Sequence, residues 1–168
     1  RVSFSRLPWL IIAMFGGTIG AKVISNFEDS ITAIPAMAFF IPLITAMGGN
    51  VGVQSSAIVV QSLARGDQDL GRILPKLIRE GSVGLMNGLI LSSLIFLVAT
   101  VFVNMHLGVV VSLSLFTVIL FAAIFGTLFP MMLHRYKIDP ALAIGPFVTT
   151  LNDVIGIFIY FSIGLLLM

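Results

Sequence analysis

Long apolar stretches without charged residues divide this chain into segments that match the thickness of a lipid bilayer. No Asp, Glu, Lys or Arg occurs from 30 to 64 or from 81 to 133, and the segment 140–168 contains one charged residue, Asp153. A hydrocarbon core about 30 Å thick is crossed by roughly 20 apolar residues as a helix. The longest stretch breaks at the polar, glycine-ended segment 104–108, which is typical of a turn. The pattern predicts five transmembrane helices, at about 7–27, 33–63, 81–103, 108–133 and 140–167.

The predicted fold class is an all-α integral membrane protein, because no segment alternates polar and apolar residues as the strands of a membrane barrel do. Pro35 and Pro42, near the start of the second helix, favour a kinked or tilted helix. Only 10% of the 168 residues are charged, whereas soluble domains carry about 25%. With 58% hydrophobic residues and no cysteine, the composition excludes a soluble enzyme and a disulfide-bonded scaffold. A net charge of +2 provides no basic field for nucleic acid.

The basic residues are distributed unevenly, and their distribution predicts an orientation. Eight of the nine Lys and Arg residues precede the first predicted helix or lie in the connections 65–80 and 134–139. The ninth, Lys22, lies inside the first helix near its far end. Cytoplasmic loops carry such an excess of Lys and Arg. We therefore expect a multi-pass protein of the cell membrane with a cytoplasmic N-terminus and an external C-terminus.

The connection 65–80 is the only sizeable soluble segment that the pattern predicts. Arg72, Lys76 and Arg79 recur at helical spacing and form a basic face, beside apolar residues such as Leu74 and Ile78. Such a segment is typical of an interfacial helix on anionic lipid headgroups, or of a docking surface for a cytoplasmic regulator. A plain solvated connector that only carries the topology signal explains the same residues, and the alternatives stay open.

Asp153 is the most unusual polar residue in the predicted spans. It lies thirteen positions after Pro140 in the last charge-poor segment, which predicts a depth near the middle of the bilayer. A carboxylate there costs roughly 2.5–3.5 kcal/mol on insertion scales, and the fifth predicted helix offers no Lys or Arg to pair with it. We interpret Asp153 as a cation site, for a metal or a coupled proton. The alternative is a protonated aspartate bonded to a neighbouring helix. Small and polar residues accompany it at helical spacing, with Asn152 beside them: Pro146, Thr149, Thr150, Gly156 and Tyr160.

The second predicted helix carries a similar polar face. Asn50, Gln54 and Gln61 share one side of it, next to a run that includes Gly49. Three glycines between 48 and 52 weaken a helix and expose backbone carbonyls to protein or water. Oxygen ligands without cysteine suit Mg²⁺, Ca²⁺ or an alkali ion rather than Zn²⁺ or Cu⁺. Hydrogen bonding between helices is the alternative explanation for the two glutamines.

Two longer motifs resemble a known family. The segment PLITAMGGNVGVQ, from Pro42 to Gln54, resembles the second-helix signature of the MgtE family of Mg²⁺ channels, and DPALAIGPFVTT, from Asp139 to Thr150, resembles its fifth helix. The resemblance implies a homodimer whose pore follows the two-fold axis between the second and fifth helices. It further implies that the residue matching Asp153, from both subunits, holds a largely hydrated Mg²⁺. The resemblance also implies a cytoplasmic N-terminal domain and paired CBS domains, which the sequence from Arg1 does not include. We expect a membrane domain separated from its regulatory part, and a naturally short relative is the alternative.

The main functional hypothesis is therefore a dimeric Mg²⁺-permeable channel with Asp153 as its metal-binding residue. The residues predicted to line the pore are Pro146, Thr149, Thr150, Asn152, Gly156, Tyr160, Gly49, Asn50 and Gln54. A carrier of the same fold that couples divalent-cation movement to Na⁺ or H⁺ is the alternative, and a membrane anchor without transport is a third. Mn²⁺, Ca²⁺ and Co²⁺ are the expected competitors. The expected partners are a second copy, membrane lipid and a cytoplasmic regulatory domain, with no nucleic acid and no enzymatic reaction.

Overall fold

The described residues form helices and the turns between them. The computed structural model describes residues 2–65, 73–143 and 145–167, and within these ranges there is no β-strand. The α-helices are α1 (Val2–Ser25), α2 (Glu28–Ala33), α3 (Ile41–Ala64), α4 (Ile73–Phe102), α5 (Met105–Arg135) and α6 (Pro146–Leu167). Two short 3-10 helices, Pro35–Phe40 and Pro140–Ala143, precede α3 and α6. The prediction of an all-helical protein is confirmed for these residues.

Helix α5 lies at the centre of the packing, against α3, α4 and α6, while α1 packs on α6. Its apolar residues Val110, Val111 and Ile119 are fully buried in the main hydrophobic cluster. A Cβ at Gly84 of α4 would lie 2.8 Å from Cβ of Ala123, so a small residue is needed where α4 meets α5. Close approach at glycine and alanine is how membrane helices gain packing contacts when lipid supplies no hydrophobic driving force.

The second predicted helix is divided in the structure. Residues 33–63 do not form one helix, because the 3-10 helix Pro35–Phe40 separates α2 from α3. Pro35 begins that 3-10 helix, and Pro42 lies in the first turn of α3, where the missing N–H of proline has no hydrogen-bond partner to lose. The prolines therefore change the helix type at this point rather than kink one long helix.

The basic connection is shorter than the predicted 65–80. Helix α4 begins at Ile73, so Lys76 and Arg79 belong to the same helix that continues to Phe102. The apolar periodicity of these residues runs without interruption into the span, which explains why no separate interfacial helix forms from them. Arg72 lies outside the described residues.

The turn between α4 and α5 is also tighter than the predicted segment 104–108. Asn104 is the N-cap residue of α5, and its Oδ1 accepts a hydrogen bond of 2.8 Å from the backbone N–H of Leu107. Gly108 lies inside α5 against α4, where a Cβ would lie 3.2 Å from the carbonyl oxygen of Phe96. The glycine serves helix packing here, not chain reversal.

Four helices in the described part of the chain are long and apolar enough to cross a membrane. They are Pro35–Ala64, in which the 3-10 helix continues directly into α3, and Leu74–Phe102, Met105–Arg135 and Pro146–Leu167. Within α1 the apolar part is Leu10–Ser25, which is shorter. Five spans and a cytoplasmic N-terminus therefore stay predictions.

Candidate functional site

The start of α6 sets the position of Asp153. The last helix was expected from 140, but a 3-10 helix ends at Ala143 and α6 begins at Pro146. Gly145 has a φ of 120°, a backbone conformation that only glycine adopts without strain. Its carbonyl oxygen accepts hydrogen bonds from the backbone N–H and from Oγ1 of Thr149, each 3.2 Å long. Asp153 therefore lies about a third of the way along α6, nearer its N-terminal end than a helix from 140 implies.

Asp153 lies at a cavity of about 620 Å³ between α1, α3 and α6. The polar side chains around this cavity are Asp153 itself with Thr45, Thr149 and Thr150, and its remaining walls are glycine and apolar residues. Asp153 is half-buried. It is the only acidic residue among those lining the cavity. We call this space the Asp153 cavity.

Helix α3 approaches Asp153 closely at Gly49. A Cβ at Gly49 would lie 3.2 Å from Oδ1 of Asp153 and 3.1 Å from Cγ2 of Thr149. Both distances are shorter than ordinary van der Waals contact, so a side chain at this position would displace the carboxylate or separate the helices. The absent side chain of Gly49 thus sets the distance between the backbone of α3 and the carboxylate.

The glycine run of α3 does not unwind the helix. Residues Ile41–Ala64 form one uninterrupted α-helix, although 48, 49 and 52 are glycine. A Cβ at Gly52 would overlap Nδ2 of Asn152, and one at Gly48 would lie 2.9 Å from Cγ1 of Val118. The sequence led us to expect that these glycines expose backbone carbonyls. In the structure they instead allow α3 to pack closely on α5 and α6.

The predicted polar stripe of α6 is divided between two surroundings. Thr149, Thr150 and Pro146 line the Asp153 cavity together with Asp153. Asn152, Gly156 and Tyr160 are buried among packed helices. Gly156 lies near Ile44 and Val118, where a Cβ would be 3.7 Å and 3.4 Å from their methyl groups. The hydroxyl of Tyr160 donates a hydrogen bond of 3.0 Å to the carbonyl oxygen of Met37.

Asn152 is buried without a hydrogen-bond partner among the described residues. Its side chain is 1% exposed, and neither its Oδ1 nor its Nδ2 has a hydrogen-bond partner in the described part of the chain. A buried amide without partners costs about 1–3 kcal/mol. Asn152 therefore does not face the Asp153 cavity, although it precedes Asp153 directly in the sequence.

The Asn and Gln side chains of α3 face outward, whereas Ser55 and Ser56 of the same helix are buried. Asn50 and Gln54 are exposed, and so is Gln61 further along the same side. This exposed polar face borders the side of α3 that carries Gly49. In a helix of this length and hydropathy, amide side chains against lipid are unfavourable unless water or protein covers them.

The Asp153 cavity also includes residues to which the sequence analysis gave no role. Among them, Gly16 and Gly20 of α1 and Thr45 of α3 line it. A Cβ at Gly16 would overlap the methyl group of Thr150, so this glycine both packs on α6 and borders the cavity. Thr45 lies four positions before Gly49 on the same face of α3, a spacing that could have identified it.

The chemistry of the Asp153 cavity suits a hydrated cation. One carboxylate and three hydroxyls provide hard oxygen donors, which Mg²⁺ and Ca²⁺ prefer. Among the described residues, no group of three or more His, Cys, Asp or Glu is close enough to hold a metal ion. A single chain therefore offers one charged ligand to an ion, and water has to complete its coordination.

A comparison with known protein families identifies the relationship. The sequence profile named MgtE, described as a divalent cation transporter, matches residues 41–163, which include α3, the Asp153 cavity residues of α6 and most of the core. The chain belongs to the MgtE family. This is a family of transporters, and the chain is a multi-pass membrane protein, consistent with the four long apolar helices and a location in the cell membrane.

Curated relatives extend the match over nearly the whole chain. The magnesium transporter MgtE of Bacillus subtilis is 40% identical over 163 residues, which is 96% of this chain and 36% of that protein. The magnesium transporter MgtE of Thermus thermophilus is 38% identical over 166 residues, or 98% of this chain and 36% of the relative. The magnesium transporter MgtE of Enterococcus faecalis is 37% identical over 172 residues, which is 100% of this chain and 37% of that protein. The chain thus spans just over a third of the length of these MgtE proteins.

Proposed function

We propose that this chain forms the membrane pathway of a magnesium transporter, with Asp153 as the residue that binds the ion. Three relatives that match 96–100% of the chain are named magnesium transporters. The observation that carries the proposal is the half-buried carboxylate of Asp153 at a cavity otherwise lined by hydroxyl, glycine and apolar groups. Mg²⁺ dehydrates reluctantly. The ion is therefore proposed to keep most of its water, which the carboxylate and the threonine hydroxyls contact.

A second copy of the chain supplies the missing charge in this proposal. One carboxylate leaves a divalent cation with a net positive charge in largely apolar surroundings, which is unfavourable at low dielectric. In a two-fold symmetric dimer the same residue is presented twice around the axis, so two Asp153 carboxylates balance the ion. The homodimer follows from charge balance and is part of the proposal.

The outward face of α3 supports the same assembly. Asn50 and Gln54 are exposed in the single chain, where lipid would leave their amides without hydrogen-bond partners. A water-filled pathway on the dimer axis would provide hydrogen-bond partners for these amide groups. Gly49 keeps this face of α3 close to Asp153. We propose that α3 and α6 of both copies border the pathway. Asn152, Gly156 and Tyr160 act from behind it, by fixing α6 against the core.

The proposed orientation has a cytoplasmic N-terminus and an external C-terminus with five spans, following the distribution of Lys and Arg. Helix α1, at 24 residues, has a length of roughly 36 Å, sufficient to cross the bilayer. A cytoplasmic regulatory domain is included among the proposed partners because the relatives are nearly three times as long as this chain. Mn²⁺, Ca²⁺ and Co²⁺ are the proposed competitors for the site.

The test is Mg²⁺ flux into proteoliposomes through the intact protein and its Asp153→Asn variant. Removing the charge eliminates charge-assisted contacts that are worth about 1.5–3 kcal/mol, so we expect flux to fall about tenfold or more. The matched control is Asp139→Asn. Asp139 is exposed outside the Asp153 cavity, and the Asn side chain keeps an acceptor for the 2.9 Å hydrogen bond from the N–H of Ala141.

Unchanged flux in Asp153→Asn, or an equal loss in Asp139→Asn, would contradict the assignment of Asp153. The same vesicles distinguish a channel from a coupled carrier. A flux that follows the Mg²⁺ gradient alone supports the channel. A flux that requires a Na⁺ or H⁺ gradient supports the carrier, with Asp153 as the coupling site.

A further inference from the structure

A second polar cavity lies at the other end of α3, where it packs against the beginning of α4. It has a volume of about 430 Å³, and its lining includes three basic residues, Arg65, Lys76 and Arg79, and one acidic residue, Glu80. The lining therefore carries a net charge of +2 in a chain whose total net charge is also +2. We call this space the Arg65 cavity.

Charges are arranged by depth in the Arg65 cavity. Arg65 and Arg79 are exposed at its rim, and Lys76 is half-buried. Glu80 is 7% exposed and accepts a hydrogen bond of 3.4 Å from Oγ of Ser55, so the acid is held at the inner wall. The cavity thus presents two guanidinium groups outward, and these groups bind phosphate oxygens in a bidentate manner.

The position of the Arg65 cavity along α4 is that of a membrane surface. From Gly81 to Phe102 this helix carries no charge, a length of roughly 33 Å at 1.5 Å per residue, close to the thickness of a hydrocarbon core. Lys76, Arg79 and Glu80 lie within the five positions before that stretch. They therefore lie at the depth where lipid headgroups begin.

Apolar side chains adjoin the basic rim. Ile58, which lines the cavity on α3, is 51% exposed, and Ile78 and Leu74 on α4 are 61% and 66% exposed. A free phosphate ion gains nothing from such neighbours, whereas the acyl chains of a lipid are stabilised when apolar side chains remove them from water. A cationic rim beside exposed apolar side chains therefore favours a phospholipid over a free phosphate ion as the ligand.

We propose that the Arg65 cavity binds the phosphate group of an anionic phospholipid, with Arg65 and Arg79 holding the phosphate and the apolar side chains beside them contacting the acyl chains. Lys76 adds positive charge from the wall, where its Nζ donates a hydrogen bond of 3.0 Å to Oγ of Ser62. The proposal is independent of the transported ion, since it concerns residues outside the Asp153 cavity.

The experiment measures how many phosphatidylglycerol molecules the intact protein retains. The protein is placed in nanodiscs of phosphatidylcholine with a minor fraction of phosphatidylglycerol, and retained lipid is counted by native mass spectrometry after extraction. The double variant Arg65→Gln with Arg79→Gln removes the two guanidinium groups proposed to contact the phosphate directly, which predicts a loss of retention of roughly thirtyfold. The matched control is Arg135→Gln with Lys137→Gln, which also removes two exposed cations but from the connection between α5 and α6. This control is expected to change retention by less than about threefold.

A second variant tests the sign of the effect. Glu80→Gln removes the negative charge from the lining, so phosphatidylglycerol retention is expected to rise by about threefold. A variant that merely disturbs folding does not increase lipid retention. A decrease in Glu80→Gln, or an equal loss in both double variants, overturns the proposal.

The source of the phosphate is tested in the same measurement. Inorganic phosphate at increasing concentration is expected to leave phosphatidylglycerol retention unchanged, because the apolar contacts are absent from the free ion. Displacement of phosphatidylglycerol by inorganic phosphate would contradict the proposal that a phospholipid is the ligand. Unchanged retention in Arg65→Gln with Arg79→Gln also overturns it and assigns the basic rim to a protein partner, such as a cytoplasmic domain.

Discussion

The contact between Gly49 and Asp153 predicts that adding one methyl group to α3 reduces transport without unfolding the protein. In Gly49→Ala the new Cβ would lie 3.1 Å from Cγ2 of Thr149 and 3.2 Å from Oδ1 of Asp153. Carbon atoms in favourable contact are about 3.5–4.0 Å apart. The variant therefore has to separate α3 from α6, or move the carboxylate, by a few tenths of an ångström.

Two opposing terms set the stability of this variant. Alanine is favoured over glycine inside a helix by about 0.8–1.0 kcal/mol, while overpacking costs typically about 1–3 kcal/mol. The difference between the two terms is a net cost of about 0–2 kcal/mol, so we expect Gly49→Ala to be destabilised by at most about 2 kcal/mol. Function is more sensitive, because a binding site tolerates displacements of only about 0.5 Å, and we expect Mg²⁺ flux to fall about threefold or more.

The assay combines Mg²⁺ flux into proteoliposomes with thermal unfolding of the same preparations. The matched control is Gly81→Ala on α4, where an added Cβ would meet nothing within 4 Å. That variant gains the same helix propensity and is expected to keep its flux and to unfold at an equal or higher temperature. Normal flux in Gly49→Ala, or an equal loss in Gly81→Ala, would refute the view that the spacing between α3 and α6 limits the site.

Two further predictions concern stability alone. Tyr160→Phe loses the 3.0 Å hydrogen bond to the carbonyl oxygen of Met37 and is expected to be destabilised by about 1 kcal/mol in thermal unfolding; an unchanged unfolding temperature would show that this bond contributes nothing. Asn104→Ala removes the N-cap hydrogen bond of α5 and should cost about 0.5–2 kcal/mol. In that variant, hydrogen exchange is expected to rise in the first turn of α5, and unaltered protection there would contradict the capping role.

The all-helical class of the fold, which the structure confirms for the described residues, and the choice of Asp153 as the candidate ion-binding residue rest on the same feature of the sequence, the scarcity of charge. In a chain with 10% charged residues, each uninterrupted apolar stretch is visible, and so is the one acid inside the last of them. The helix ends were less well predicted. The expected start at 33 became a 3-10 helix at Pro35, and the expected start at 140 moved to Pro146, because proline and Gly145 change the backbone locally while the apolar pattern continues.

Helical periodicity could not predict which neighbour covers each level of α6. Asp153 and Tyr160 are seven positions apart, so they lie on nearly the same side of the helix, about 10.5 Å apart along its axis. Asp153 faces a cavity, whereas Tyr160 is fully buried because the 3-10 helix Pro35–Phe40 covers that level and Met37 accepts its hydrogen bond. Helical periodicity predicts the side of α6 on which a residue lies. Which element contacts that residue depends on the tertiary packing at each turn.

The glycines of α3 connect helix packing with the proposed ion site. Had Gly48, Gly49 and Gly52 unwound the helix, backbone carbonyls would have been available as ligands, as the sequence suggested. Because α3 is continuous from Ile41 to Ala64, its carbonyls are engaged in helical hydrogen bonds, and ligands must come from side chains. On the α6 wall of the Asp153 cavity those are Asp153 and the two threonines. Glycine in α3 thus brings two helices together around one carboxylate, and in the proposed pathway we expect a substitution that widens this contact to reduce transport before it unfolds the protein.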